Sequence, residues 1–91
     1  MSVIIRVSAP LRRFTDGQAQ IEIKATNVGE CLSNLQDRFP SLKQELWNNE
    51  GGLNPFLGVF LNGENIKSLQ DLHTPLGTND EISIIPAVAG G

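Results

Sequence analysis

The chain has 91 residues, of which 40% are hydrophobic and 19% are charged, and its formal net charge is −3. This length accommodates one domain with a single modest core, and the composition excludes disordered, collagen-like and membrane classes. No apolar run approaches the ~20 residues of a membrane span. The single cysteine, Cys31, excludes an internal disulfide and fits a reducing cytoplasm, where we expect the protein to reside.

The charges are unevenly distributed along the chain. Residues 1–43 carry six Lys or Arg against four acids, whereas residues 44–91 carry only Lys67 against six acids. An acidic surface repels phosphate backbones, so we expect no nucleic acid partner. Since no apolar segment is long enough for a membrane span, we expect no membrane partner either. A basic surface on another protein is the more plausible contact for the acidic half.

Two alternating segments begin the chain. Residues 3–8 place Val3, Ile5 and Val7 on one face and Ile4, Arg6 and Ser8 on the other, which predicts a strand. Residues 19–25 alternate in the same way after the turn signal Asp16-Gly17. The two segments predict a hairpin with a long loop.

A helix is predicted next. Asn27 followed by Glu30 resembles a capping box, and Pro40 would end the helix because proline cannot donate the next backbone bond. The apolar residues between them recur at helical spacing: Val28, Leu32, Leu35 and Phe39. Residues 41–49 predict a further helical turn.

The remaining elements are short. Residues 58–61 predict a third strand, which Asn62-Gly63 turns into a short segment at 65–67. Leucines at 69, 72 and 76 predict a compact helical turn or a packed loop, and residues 81–85 predict the last strand. The order β-β-α-β-β-β indicates an α+β domain with one main helix packed across a mixed sheet.

The chain ends in the small residues Ala87-Val88-Ala89-Gly90-Gly91. Glycine has no Cβ, so a Gly-Gly ending makes a thin, flexible tether that fits a narrow channel and brings a terminal carboxylate to its far end. The alternative without a function is an ordinary disordered terminus. Gly51-Gly52, a glycine pair inside the chain, indicates only a loop. We take residues 1–86 as the domain and residues 87–91 as a flexible tail.

The element order and the ending together resemble the ubiquitin-like β-grasp sulfur carriers, the family of the molybdopterin-synthase small subunit and the thiamin sulfur carrier. Three stretches carry the resemblance, which spans essentially the whole chain: Ile84 to Gly91, Val59-Phe60-Leu61-Asn62-Gly63, and Leu76-Gly77-Thr78-Asn79-Asp80-Glu81. Asn79 stands where the family commonly has glycine, and asparagine also tolerates a positive φ. The length, the stretch from Pro10 to Gln18 and the ending from Pro86 to Gly91 look closest to the carriers of cysteine biosynthesis.

The resemblance implies that the carboxylate of Gly91, reached through Gly90, is the reactive group. A partner related to ubiquitin-activating enzymes would adenylate it with ATP, and sulfur would replace the adenylate to give a thiocarboxylate that donates sulfur for cysteine, molybdopterin or thiamin biosynthesis. This chain has neither a G-x-x-x-x-G-K-[ST] loop nor a G-x-G-x-x-G, so a partner must supply the nucleotide chemistry. We therefore expect a protein cofactor rather than an enzyme, with no cofactor or metal bound by the chain itself.

A docking face for partners follows from strand alternation. In a β-grasp sheet the first, last and third long strands lie side by side, so Ile4, Arg6, Phe60 and Ile85 would share the solvent face. Three clustered apolar side chains there indicate a partner site. The alternatives are that the tail or a loop covers one or two of them, or that they are solitary surface apolar residues that need no explanation. The tail would contribute further partner contacts at Pro86, Ala87, Val88 and Ala89.

Other candidate residues have structural explanations. Cys31 lies near a helix start, where a thiol can be activated, but its apolar neighbours favour a core or rim position. His73 has no second nitrogen ligand or carboxylate motif beside it, so neither a metal site nor a general base is expected. Trp47 and Phe56 are expected to pack the irregular middle segment.

Two other functions use the same features. A ubiquitin-like modifier would join its activated Gly91 carboxyl to target lysines, and the tail alone does not separate this function from sulfur transfer. Alternatively, the chain would be the small, non-catalytic subunit of molybdopterin synthase, with the larger subunit's active site receiving the tail. The downstream sulfur acceptor would accordingly be a cysteine synthase-like enzyme or that larger subunit.

Overall fold

A computed structural model describes residues 2–86. Five strands form one mixed sheet in the order β2-β1-β5-β3-β4, with bounds β1 Ser2–Val7, β2 Gln20–Lys24, β3 Leu57–Leu61, β4 Glu64–Asn65 and β5 Glu81–Pro86. β1 is antiparallel to β2 and parallel to β5, while β3 is antiparallel to both β5 and β4. The predicted α+β class and the side-by-side arrangement of β1, β5 and β3 are confirmed.

The main helix, α1, spans Val28–Arg38. The Asn27 side chain accepts a hydrogen bond from the Glu30 backbone N–H at 2.8 Å, which satisfies one of the free donors at the helix start. Glu30 in turn accepts from the backbone N–H of Thr26, one residue earlier than in a standard capping box, at 2.6 Å. The helix ends before Pro40, as predicted.

Short helices fill the connections between these elements. The predicted turn after Pro40 consists of a 3-10 helix at Pro40–Leu42 and a short helix, α2, at Lys43–Leu46. Further 3-10 helices occupy Ala9–Phe14, Ile66–Ser68 and Asp71–His73. The first of these lies inside the long hairpin loop, and the third occupies the segment predicted as a compact turn or packed loop.

The core lies between α1 and one face of the sheet. Alternate residues of β1, β2, β3 and β5 face the helix and are buried, including Val3, Ile5 and Ile21, each at most 2% exposed. Leu32 and Leu35 of α1 pack against them with no exposed area. Because the helix covers only this face, the opposite face of the sheet is left for solvent or for partners. Within residues 2–86, no helix has the length and apolar character needed to span a membrane.

Candidate functional site

The candidate site lies on the outer face of the sheet, the face turned away from α1. β1 contributes Ile4 and Arg6, β5 contributes Ser83 and Ile85, and β3 contributes Gly58 and Phe60. The four residues predicted on this face all lie there: Ile4 and Phe60 are half-buried, whereas Arg6 and Ile85 are exposed. Strand alternation was therefore sufficient to assign the face of each residue.

An aromatic ring lies beside the last residues of β5. Gly58 pairs with Ile85, and Phe60 pairs with Ser83. A Cβ atom at Gly58 would lie 2.9 Å from Cε1 of Phe60 and 3.3 Å from the carbonyl oxygen of Ile85, so the Phe60 ring covers the glycine. Ile85 keeps 44% of its surface exposed beside this ring. Phe60, Gly58 and Ile85 thus form a continuous apolar surface.

Ile4 lies apart from that surface, so the prediction of one cluster of three apolar side chains is wrong for this residue. The register pairs Ile4 with Glu81, four residues before Ile85 in β5. At about 3.3 Å per residue, that offset separates the two isoleucines by ~13 Å along the strand. Side-chain alternation assigned the correct face, but only the register between strands sets the distance along it.

An ion pair crosses the surface between Ile4 and Ile85. Nε and Nη2 of Arg6 donate to the two carboxylate oxygens of Glu81 at 2.8 and 3.2 Å. The hydrogen bond from Arg6 lowers the pKa of Glu81, and the same contact raises the pKa of Arg6. Arg6 is therefore bound to a carboxylate within the chain and remains 55% exposed for a second contact.

A shallow depression of about 270 Å³ adjoins Ile85 on the side of β1. The polar residues that line it are Arg6, Ser8, Arg12, Gln20 and Ser83. Nε of Arg12 donates to the backbone carbonyl of Val7 at 3.0 Å, which holds this guanidinium over the strand end. Among the described residues, this lining contains two guanidinium groups and no carboxylate. The outer face therefore has an apolar side at Phe60 and a positively charged side at Arg12, whereas the charge of Arg6 is paired with Glu81.

Phe56 was expected to pack the middle segment, and that expectation is wrong. Its side chain is 62% exposed, just before Leu57, which pairs with Pro86 at the end of β5. Trp47, in contrast, packs partly against the core and donates through Nε1 to Oε1 of Gln36. Phe56 and Gly58 lie beside the end of β5, and sequence reasoning did not assign either of them to the site. For Gly58 a signal was available: Phe60 is two positions later and therefore on the same face of the strand, where its ring can cover a glycine.

β5 carries the chain to Pro86, where the described part of the structure ends. Residues predicted to form the tail and its reactive end lie outside the described residues: Ala87, Val88, Ala89, Gly90 and Gly91. Pro86 itself lies in β5 opposite Leu57, and its missing N–H makes it a poor residue for continuing a paired strand. The apolar surface at Phe60 and Ile85 is thus next to the start of the tail.

The two side chains considered for conventional chemistry do not form a site. Cys31 is fully buried in the core, and burial raises the pKa of its thiol to about 12, so it remains protonated near neutrality. His73 is exposed at the end of a 3-10 helix. Across residues 2–86, no three His, Cys, Asp or Glu side chains are grouped to hold a metal ion.

Comparisons with known proteins agree on one family. The sulfur carrier protein CysO of Mycobacterium tuberculosis is 28% identical to this chain over 93 residues, with all of both chains covered. A chain in the crystal structure of the Amycolatopsis orientalis BexX/CysO complex is 30% identical, with 98% of this chain and 99% of that chain covered and a TM-score of 0.88.

A third relative carries a different description. The solution structure of small archaeal modifier protein 1 from Methanosarcina acetivorans is 30% identical to this chain, with 99% of this chain and 96% of that chain covered and a TM-score of 0.88. These likenesses confirm the ubiquitin-like β-grasp fold. The sequence model of the ThiS family matches residues 5–91, so the chain belongs to the ThiS family.

Proposed function

We propose that this protein is a sulfur carrier whose Gly91 carboxylate is adenylated by a partner enzyme and converted to a thiocarboxylate. The observation that carries the proposal is the ThiS family match, which continues through Gly90 to Gly91. The full-length likeness to carriers of the CysO type supports cysteine biosynthesis as the sulfur-accepting pathway. A cytoplasmic location is part of the same proposal.

The chemistry requires a partner because a terminal carboxylate is an anion near neutrality and a poor electrophile. In the proposed cycle a carboxylate oxygen of Gly91 attacks the α-phosphorus of ATP and pyrophosphate leaves. Sulfide then attacks the acyl carbon, AMP leaves, and the terminus becomes a thiocarboxylate. ATP is bound by the activating enzyme, and the carrier acts as that enzyme's substrate rather than as a catalyst.

Binding to the activating enzyme is assigned to the outer face of the sheet. Phe60 and Ile85 would meet an apolar surface of the enzyme, while Arg6 would meet a carboxylate. Residues 87–91 in an extended form reach roughly 16 to 18 Å beyond Pro86, enough to enter a neighbouring active site. Ile4 lies on the same face but farther from Ile85, so only an enzyme that covers a larger part of the sheet would contact it. Ala87, Val88 and Ala89 would contact the walls of the channel that leads to that active site.

Intact-mass measurement tests the proposal. The full chain is incubated with ATP, sulfide and a candidate adenylating enzyme related to ubiquitin-activating enzymes, and the mass of the intact chain is expected to shift by the replacement of one oxygen with sulfur. Deleting Gly91, or changing Gly90→Phe, should abolish the shift. Gly52→Ala is the matched control, because its Cβ would meet only ordinary contacts with Asn48. Normal sulfur loading of the Gly91-deleted chain would overturn the proposal.

The second candidate function is protein modification, which the likeness to the Methanosarcina modifier favours. It uses the same activated carboxyl but ends in an isopeptide bond to a lysine of another protein. Covalent adducts that survive denaturing gels and depend on Gly91 would support modification. The mass shift described above, without such adducts, would support sulfur transfer alone.

A further inference from the structure

The outer edge of β2 carries backbone groups that the sheet does not use. Among residues 2–86, β2 pairs only with β1, and the Val7 N–H donates to the Ala19 carbonyl at the start of that ladder. Hydrogen-bonded pairs alternate along an antiparallel ladder, so Ile21 and Ile23 bond to β1. The N–H and C=O groups of Glu22 and Lys24 therefore point away from the sheet.

Two side chains of α1 bind these outward carbonyls. Nδ2 of Asn34 donates to the Lys24 carbonyl at 2.8 Å, and Nη1 of Arg38 donates to the Glu22 carbonyl at 2.9 Å. Four residues of helix rise about 6.0 Å and two residues of strand about 6.6 Å, so one helical turn matches the spacing of the two carbonyls. The contacts thus bridge two of the outward carbonyls of this edge, those of Glu22 and Lys24, and leave that of Gln20, at the start of β2, without a bridge from α1.

Without these bridges, the β2 edge suits a second copy of the same chain. In an antiparallel pairing centred on Ile23, Glu22 of each copy would face Lys24 of the other, and their outward backbone groups would be in register. Centring on Glu22 instead would bring two like charges together. The opposite edge of the sheet, β4, has only two residues and offers little to pair with.

We propose that Asn34 and Arg38 close the β2 edge against pairing with a second copy of this chain in the register centred on Ile23. Unpaired edge strands are templates for association, and proteins block them with side chains and charges. Here two side chains of the neighbouring helix α1 donate hydrogen bonds to the outward carbonyls, which a second strand would otherwise use. Pro86, after which the tail begins, and the apolar surface of Phe60 and Ile85 lie on β5 and β3, away from this edge, so the proposal is independent of sulfur transfer.

Sedimentation analysis of Asn34→Ala/Arg38→Ala tests the block. The natural chain should sediment as a monomer, and the double variant should form a species of twice the mass as concentration rises. Ser33→Ala/Asp37→Ala is the matched control, because these exposed residues have the same spacing on α1 and donate to neither carbonyl. It should remain monomeric. A folded double variant that stays monomeric, or a natural chain already paired through β2, would overturn the proposal.

Charge variants test the register. In the double variant, adding Glu22→Lys would place lysine opposite lysine and should abolish the dimer, and adding Lys24→Glu as well should restore it. A dimer indifferent to these changes would refute the register centred on Ile23. If the alanine variant does not fold, Asn34→Leu/Arg38→Met retains side-chain bulk without the donors and gives the same test.

Discussion

Ile84 and Ile85 are adjacent in β5 but face opposite sides of the sheet, so equal truncations should separate folding from partner binding. Ile84 has no exposed surface, and Ile85 is 44% exposed. Ile84→Ala leaves a cavity in the core, for which we expect a loss of about 2–5 kcal/mol in the free energy of unfolding. Ile85→Ala removes a side chain that the domain covers only in part, so its cost should be about 1 kcal/mol.

The expected effect on binding is reversed. Burying a whole isoleucine side chain contributes about 1.5–3 kcal/mol, so a partner that covers the exposed 44% of Ile85 gains at most about 0.7–1.3 kcal/mol. Truncation should therefore weaken binding to the activating enzyme by up to roughly 3- to 9-fold. Ile84→Ala should leave the affinity unchanged at temperatures where it is folded.

Urea unfolding gives the two stabilities, and the KM of the activating enzyme for each carrier variant gives the functional effect. Gly52→Ala is again a suitable control, because it changes neither the core nor the outer face. Equal losses of stability in the two isoleucine variants would refute the assignment of faces. A KM that rises as much for Ile84→Ala as for Ile85→Ala would refute the docking role of the outer face.

Three further predictions concern stability and reactivity. Asn27→Ala should lower the free energy of unfolding by about 1 kcal/mol in urea titrations, because the helix loses its cap; no change would show that the cap adds nothing. Hydrogen bonds from the Thr26 backbone and hydroxyl lower the pKa of Glu30, so their stabilisation is present above the ordinary value of 4.5 and is lost as pH falls through the lowered value. Glu30→Gln should reduce the dependence of the free energy of unfolding on pH in this acidic range. An unchanged pH dependence there would contradict the role of Glu30. Cys31 should resist alkylation by iodoacetamide at pH 8 in the folded chain and react after denaturation; rapid reaction of the native thiol would refute its burial.

Most of the fold could be predicted because the local signals agree with the global arrangement. Alternation placed β1, β2, β3 and β5 within a residue or two of their bounds, and Asn27 with Pro40 located the ends of α1. The segment between Pro40 and β3 was less predictable. Phe56 is an apolar residue that the structure leaves exposed. That irregular stretch has no periodicity from which an exposed apolar residue could be told from a buried one.

The sequence by itself determined the β-grasp element order, the face on which Ile4, Arg6, Phe60 and Ile85 lie, and the family to which the Gly-Gly ending belongs. These properties depend on period-two alternation, caps and turns, which are local. Only the tertiary structure decided that Ile4 lies ~13 Å from Ile85 along the sheet, that Phe60 covers Gly58, and that α1 bridges the edge of β2. Those features depend on the register between strands and on helix placement, which join residues distant in the chain and leave no local pattern.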